Sequence, residues 1–547
     1  MVWSRDRLVL YCLVSRQRYT QGKMVGLLNL PFECIVSILV SLPPREIARC
    51  RLVSRVLWTI INDSPMLQYL LELDSLGLVP PRIISHRLPL EQKIQTLRRR
   101  KRTNALGICD TIAAPLHWQD DNVPSFGYDF VSSRGVLALK SQKKIEIHQL
   151  SSPNRNIGSS YHLLDSLPEH WMMAIEPAFD LLVLFDSTNN DVTFHLRSLQ
   201  TGLAHPDACL PTVVYEGEND EFIRPGLHKL QIEIIGHRIA YLRECPLAIE
   251  STSRVIIWDW TSGQILTSTN VSEISFGFLS ENVFIVATPI SYAHGPDAEK
   301  KPSLLLYSCD HVPQGESARL TARFSLPMGL STVAFRDPQF LSFSQPSFWY
   351  FDVPVTCPSQ PVIYDLPPDS SYLALNPSFY RGSNTIRGTL FVHVSSLLAF
   401  ATRPDHDNAP IPWSKWESTT AWVDPPILSN ELRPYYGPTV FGHLVAYIYA
   451  EEQSSSWRVE VHDLRKATRT SLGSKTFRSF VMESYRPLKH DSLVKSFVVP
   501  FETVPPIRVI MGVWDILLEI MLDGEHVIIL RRPSEDTQSS IHVYPLW

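Results

Sequence analysis

Apolar residues recur along the chain with two different periods, and the change from one to the other divides it. In LPFECIVSILVSLPPREIARCRLVSRVLWTIINDSP, Ile35, Ile38, Leu39 and Leu42 stand at the i, i+3, i+4, i+7 positions of one helix face. Pro31 fits the first turn of that helix, where a missing N–H costs nothing, and Glu33 sits at the positive end of its dipole. Pro43-Pro44 stops it. A second short helix is predicted over Arg45 to Leu52. A third runs from about Ser54 to Ile61, with Val56, Leu57, Ile60 and Ile61 on one side and Asn62-Asp63-Ser64-Pro65 as its end. Met66, Leu67, Leu70, Leu71 and Leu73 form a further helical set, and Leu90, Ile94 and Leu97 another. The last closes on the basic run RRRKR (98–102), read either as a solvated helix end or as a nuclear import signal.

After residue 105 the period becomes that of strands. A unit of one alternating apolar run and a small polar turn recurs as KKIEIHQL, DVTFHLRSLQTG, SRVIIWDWTSG, SLLLYSCD, SFWYFDVP, GTLFVHVSS, WRVEVHDLRK and IHVYPLW. Anchored on Ile145, Val192, Val255, Leu304, Trp349, Leu390, Val459 and Ile541, its intervals are 47, 63, 49, 45, 41, 69 and 82 residues, most of them near the length of a propeller repeat. A second apolar run precedes several anchors: FDLLVLFD, HRIAYLRE, ENVFIVATP and HLVAYIYA. Two runs and two turns per period suit a multi-stranded blade, which buries both faces against neighbours and needs a closed ring to lose its terminal faces. The expected fold class is therefore α+β and multidomain: a small three-helix domain followed by a mostly-β body, an irregular β-propeller of six to eight blades. Its last strand is expected to pair with an early one. The runner-up is two stacked β domains divided near the proline-rich stretch 404–438. The expected boundaries are a disordered extension over 1–23, the helical domain over 24–64, a helical linker over 65–105 and the β body over 106–547.

Composition narrows the function. The chain has 547 residues, and 50 Lys+Arg against 55 Asp+Glu leave a net charge of −5, too balanced for binding nucleic acid by phosphate neutralisation. Its 42 prolines against 23 glycines point to many ordered loops between short elements. The eight cysteines are scattered, with neither a C-x-x-C pair nor metal-ligand spacing, so a reducing compartment, cytoplasm or nucleus, is expected and no cofactor. No run approaches the ~20 apolar residues of a membrane span.

The N-terminal segment resembles the F-box. Leu30-Pro31, Glu33, Ile38-Leu39, Leu42, Ile47, Cys50, Val53 and Trp58 stand in its order: Leu-Pro-x-Glu, an apolar helix, a proline turn, then a helix pair ending near a tryptophan. The rest of the chain is similar to a group of fungal, mostly basidiomycete, F-box proteins in phrases such as FHLRSLQTG, IIWDWTSGQIL, FGFLSEN and VFGHLVAY. The resemblance implies a substrate-receptor subunit of an SCF-type (Skp, cullin, F-box) ubiquitin ligase, docked on a Skp-type adaptor and through it on a cullin, with the body holding an unidentified protein substrate. It also implies that Leu30, Pro31, Ile35, Ile38, Leu39, Leu42, Ile47, Val53 and Trp58 form the adaptor-binding face, with Trp58 open between that face and the core. Physical reasoning agrees, because three helices this short are marginal alone and carry more apolar surface than they can hide among themselves.

No catalytic constellation emerges. H-E-x-x-H, G-x-S-x-G, the P-loop and G-x-G-x-x-G after a strand are all missing from the sequence. Asp405-His406-Asp407 reads as a solvated loop, and the set Trp413, Trp416, Trp422, Tyr435 and Tyr436 as packing of a long connection before a recognition surface. The chain is therefore expected not to be an enzyme. The rival readings are an F-box scaffold with no part in ubiquitin transfer and a propeller enzyme whose carboxylates converge in the central channel.

Overall fold

The computed structural model describes residues 27–76, 78–80, 89–106, 116–117, 130–133, 135–141, 144–151, 159–165, 167–168, 172–188, 191–215, 230–243, 253–271, 276–288, 303–310, 312–313, 315–326, 372–375, 378–381, 384–387, 389–401, 409–423, 439–441, 444–450, 456–463, 493–500, 518–522, 526–531 and 540–545. Contacts group the chain into two compact units, 1–77 with 88–97 and 78–87 with 98–547. The expected extension over 1–23 lies outside the described residues.

The first unit is helical. Helices α1 (Phe32–Val40), α2 (Pro44–Cys50), α3 (Arg55–Asp63) and α4 (Pro65–Leu76) are followed by α5 (Leu90–Leu106), which begins in this unit. Pro44 occupies the first turn of α2, and the Ser54 hydroxyl caps α3 by accepting from the Leu57 N–H at 3.1 Å. Ile35, Leu39, Ile47, Leu57, Ile60, Ile61, Leu67 and Leu70 make one buried cluster. Its last two members lie on α4, which packs against α1, α2 and α3. Helix α4, which falls in the expected linker over 65–105, shares this core. The third helix ends at Asp63, within the expected stop Asn62-Asp63-Ser64-Pro65, and Pro65 also opens the next helix, where a first-turn proline sacrifices no hydrogen bond.

The second unit carries seven antiparallel blades among the described residues. The first blade runs Phe130–Ser133, Val136–Ser141, Lys144–Gln149, Ser160–Leu164, and the second Met172–Glu176, Leu181–Thr188, Asp191–Ser198, Thr212–Tyr215. The third runs Leu230–Ile235, Arg238–Arg243, Ser253–Asp259, Gln264–Val271, and the fourth Phe276–Ser280, Val283–Thr288, Ser303–Ser308, Arg319–Ser325. The fifth has three strands, Tyr372–Leu375, Thr389–His393 and Thr420–Val423, with a separate hairpin, Ser378–Arg381 and Asn384–Arg387, inserted after the first. The sixth runs Thr439–Phe441, Leu444–Ala450, Ser456–Asp463, Leu493–Pro500. In the seventh, Leu518–Leu522, His526–Arg531 and Ser540–Pro545 are joined by the early strand Leu116–His117, through Leu116 opposite Ile541 and His117 opposite Ser540. The expected ring closure is thus present.

Side chains that alternate out of each blade interlock with the next. Ile145 and Leu164 meet Ile175, Leu182 and Leu184, and Phe185 and Phe194 meet Tyr241 and Trp258. Leu242 and Ile257 meet Phe278 and Phe284, Leu304 and Phe324 meet Leu373 and Val392, and Ile528 and Val543 meet Leu137 and Leu139. The first strands of the fifth, sixth and seventh blades adjoin in turn, so a single ring replaces the alternative of two β domains. The connection between the last two strands of the fifth blade covers an edge of the fourth. Ile411 accepts from the Ser325 N–H at 2.9 Å and donates its own to Arg323 O at 2.7 Å, extending the outer strand in parallel. Helix α6 (Val394–Ala401) and Trp416 seal this cover, with Trp416 buried against Phe324. The aromatic set is packing at Trp416, while Tyr435, Tyr436 and Asp405-His406-Asp407 lie outside the described residues.

Candidate adaptor-docking surface

Fourteen large apolar side chains are exposed among the described residues, and eight of them fall between residues 28 and 66: Leu28, Phe32, Ile38, Leu52, Val53, Val56, Trp58 and Met66. The concentration follows from the sequence. Helices of seven to nine residues have a narrow stripe to give to a shared core, and these carry apolar residues on more than one side of it.

On α1, Ile35 and Leu39 point into the core while Ile38, between them in sequence, is exposed. Pro31 is exposed at the N-cap position, and Leu30 and Leu42 are half-buried against the core edge. On α3, Leu57, Ile60 and Ile61 are buried, and Val56 and Trp58 flank them on the outside. The turn between α2 and α3 is the most exposed apolar feature, with Leu52 at 88% and Val53 at 55% of their full accessibility. It is held by backbone bonds, Leu52 N–H to Arg49 O at 2.9 Å and Val53 N–H to Cys50 O at 3.1 Å.

The nine residues expected to form the docking face therefore separate. Pro31, Ile38, Val53 and Trp58 are exposed, Leu30 and Leu42 lie at the border, and Ile35, Leu39 and Ile47 sit in the unit's own core at 2%, 2% and 0% exposure. A side chain already buried by its own domain has no surface left to offer a partner. Sequence reasoning missed Leu28, Phe32, Leu52, Val56 and Met66 as exposed apolar positions. Leu52 was legible in principle, since it stands next to Val53 at a predicted helix end where no core stripe continues.

Arg49 pairs with Glu46 at 2.5 Å on the surface of α2, a contact of small energetic weight. Burial, and secondarily the Glu46 carboxylate, push the Cys50 thiol above its ordinary value. Among the described residues no group of three or more His, Cys, Asp or Glu is placed to hold a metal ion, and no helix is long and apolar enough to cross a membrane.

No curated protein matches the chain. Similar solved structures include hydrazine synthase of Kuenenia stuttgartiensis, at 10% identity and a TM-score of 0.42, covering 78% of this chain and 97% of that one. The acylaminoacyl peptidase of Pyrococcus horikoshii matches at 10% identity and 0.36, covering 77% of this chain and 51% of that one. The β-propeller domain of Vanderwaltozyma polyspora Nup133 matches at 8% identity and 0.33, covering 80% and 99%. Likenesses this distant say nothing about chemistry. The family comparison bears directly on the helical unit: the F-box domain family matches residues 27–65, the stretch that holds seven of the eight exposed apolar side chains. The chain carries an F-box domain at its helical unit, followed by a mostly-β body built of antiparallel blades.

Proposed function

We propose that the protein is a substrate-receptor subunit of an SCF-type ubiquitin ligase. Its F-box docks on a Skp-type adaptor, the adaptor connects it to a cullin, and the propeller body holds a target protein in the cytoplasm or nucleus. The observation that carries the reading is the apolar surface left uncovered on residues 28–66, inside a stretch that matches a known docking domain. Covering Leu52 and Val53 alone releases about 2–4 kcal/mol at the usual worth of a buried aliphatic side chain. The proposed role of the chain is positional. It brings a target near a ligase whose chemistry resides in other subunits, and target specificity lies in loops on the ring, where side chains vary without disturbing blade packing.

Affinity purification of the full chain tests this reading. The expected result is co-recovery of a Skp-type adaptor together with a cullin, and loss of both when Val53 and Trp58 are replaced by Glu and Ala. Recovery of the adaptor without a cullin would support a scaffold outside ubiquitin transfer. Recovery of neither would remove the ligase assignment.

A further inference from the structure

The most exposed apolar side chain of the helical unit sits on a turn that short backbone bonds alone hold weakly, and a polar network ties that turn to a helix beyond the matched domain. Arg51, next to Leu52, donates from Nη2 to Asn62 Oδ1 at 2.6 Å. The same oxygen accepts from Gln68 Nε2 at 3.3 Å, and Gln68 Nε2 also donates to the Ile61 carbonyl at 3.0 Å. All three side chains are partly buried, and the bond from the guanidinium is charge-assisted, the stronger kind. Asn62 lies in the last turn of α3 and Gln68 in the first turn of α4, outside the 27–65 match. The chain thus runs from α4 through one amide oxygen to the residue that precedes Leu52.

We infer that Asn62, gripped by Arg51 and Gln68, is a positioning residue for the adaptor-docking turn, and that α4 is a working part of the docking module. The inference rests on the docking reading above. An apolar anchor gains most from a partner when its backbone is already fixed, because the ordering cost then falls in folding and not in binding. Without the amide acceptor, the Arg51 side chain loses its tether and the 51–53 turn is held by backbone bonds alone, from the Arg51, Leu52 and Val53 N–H groups to Ile47, Arg49 and Cys50. Leu52 keeps its surface and loses its place.

The test uses the full chain and a purified recombinant Skp-type adaptor, with affinity and amide hydrogen exchange as two readouts. Asn62→Ala is expected to weaken adaptor binding about three- to tenfold and Leu52→Ala roughly tenfold, while the double variant is no weaker than Leu52→Ala within about twofold, the mark of two residues acting as one unit. Asn62→Asp keeps the acceptor and restores wild-type affinity. Gln68→Ala, which leaves the Arg51 bond intact, serves as the milder variant should Asn62→Ala disturb the fold. Exchange at the Leu52 and Val53 amides is expected to accelerate in Asn62→Ala before any adaptor is added. Unchanged exchange there, or fully additive losses in the double variant, would overturn the brace. Accelerated exchange in a chain whose wild type ignores the adaptor would retain the brace as a structural feature and overturn the docking role.

Discussion

A left-handed glycine shows how closely neighbouring blades are fitted. Gly236, in the turn between the first two strands of the third blade, has φ +58°, and a Cβ there would come within 2.0 Å of the Glu281 carboxylate on the fourth. The two blades are laced further by Arg238 Nη1 donating to Glu281 O at 2.6 Å, and within the third blade the Trp260 indole N–H donates to Gly236 O at 3.1 Å. Gly236→Ala is expected to cost about 1–3 kcal/mol, moderated because Glu281 can swing away, and to lower the melting temperature of the body by several degrees with adaptor affinity unchanged. A melting temperature equal to the wild type would contradict this fit. The glycine is visible in the sequence, but its partner forty-five positions on is not, since only the closed ring brings the two turns together. The same limit applies to the docking face. The 3.6-residue period identifies Ile35, Ile38, Leu39 and Leu42 as one stripe, yet it does not say which edge of the stripe the core will cover, and the core takes Ile35 and Leu39.

Elements were legible where a run of residues has one dominant environment. Ile145, Val192, Val255, Leu304, Val459 and Ile541, chosen as repeat anchors, each fall on the third strand of a blade, and FDLLVLFD, HRIAYLRE, ENVFIVATP and HLVAYIYA on second strands. Ser253–Asp259 and Ser303–Ser308 are buried on both faces and Asp191–Ser198 alternates buried with half-buried positions, so the apolar signal of these middle strands is strong. Fourth strands such as Ser160–Leu164 and Thr212–Tyr215 are largely exposed or half-buried and leave little pattern. Blade five breaks the period because a hairpin and a covering connection are inserted into it, and Leu390 falls on its middle strand of three. The anchor Trp349 lies outside the described residues. The closing strand gives the sharpest expectation at this scale. Ser540–Pro545 pairs with His526–Arg531 on one side and Leu116–His117 on the other, so ending the chain at residue 539 removes both ladders and opens the ring. Proteolysis of that truncated chain is expected to digest the first and seventh blades at concentrations of protease that leave the full chain intact, and equal resistance would show that closure does not depend on this strand.

Among the described residues, the helical unit leaves more of its apolar side chains uncovered than the ring does. The six other exposed apolar side chains among the described residues, Tyr161, Leu163, Leu203, Leu210, Val214 and Ile265, are spread over three blades, whereas eight are gathered in thirty-nine residues of the helical unit. That imbalance is the physical ground for the proposed docking surface. Calorimetric titration of the full chain with a Skp-type adaptor at several temperatures tests it most directly, since burial of apolar surface on binding gives a negative heat-capacity change. The account predicts one-to-one binding with a clearly negative heat-capacity change, and binding weakened at least a hundredfold in a Leu52→Asp, Val53→Asp chain, a loss of about 3 kcal/mol. No binding by the unaltered chain, or undiminished binding by the substituted one, would contradict it.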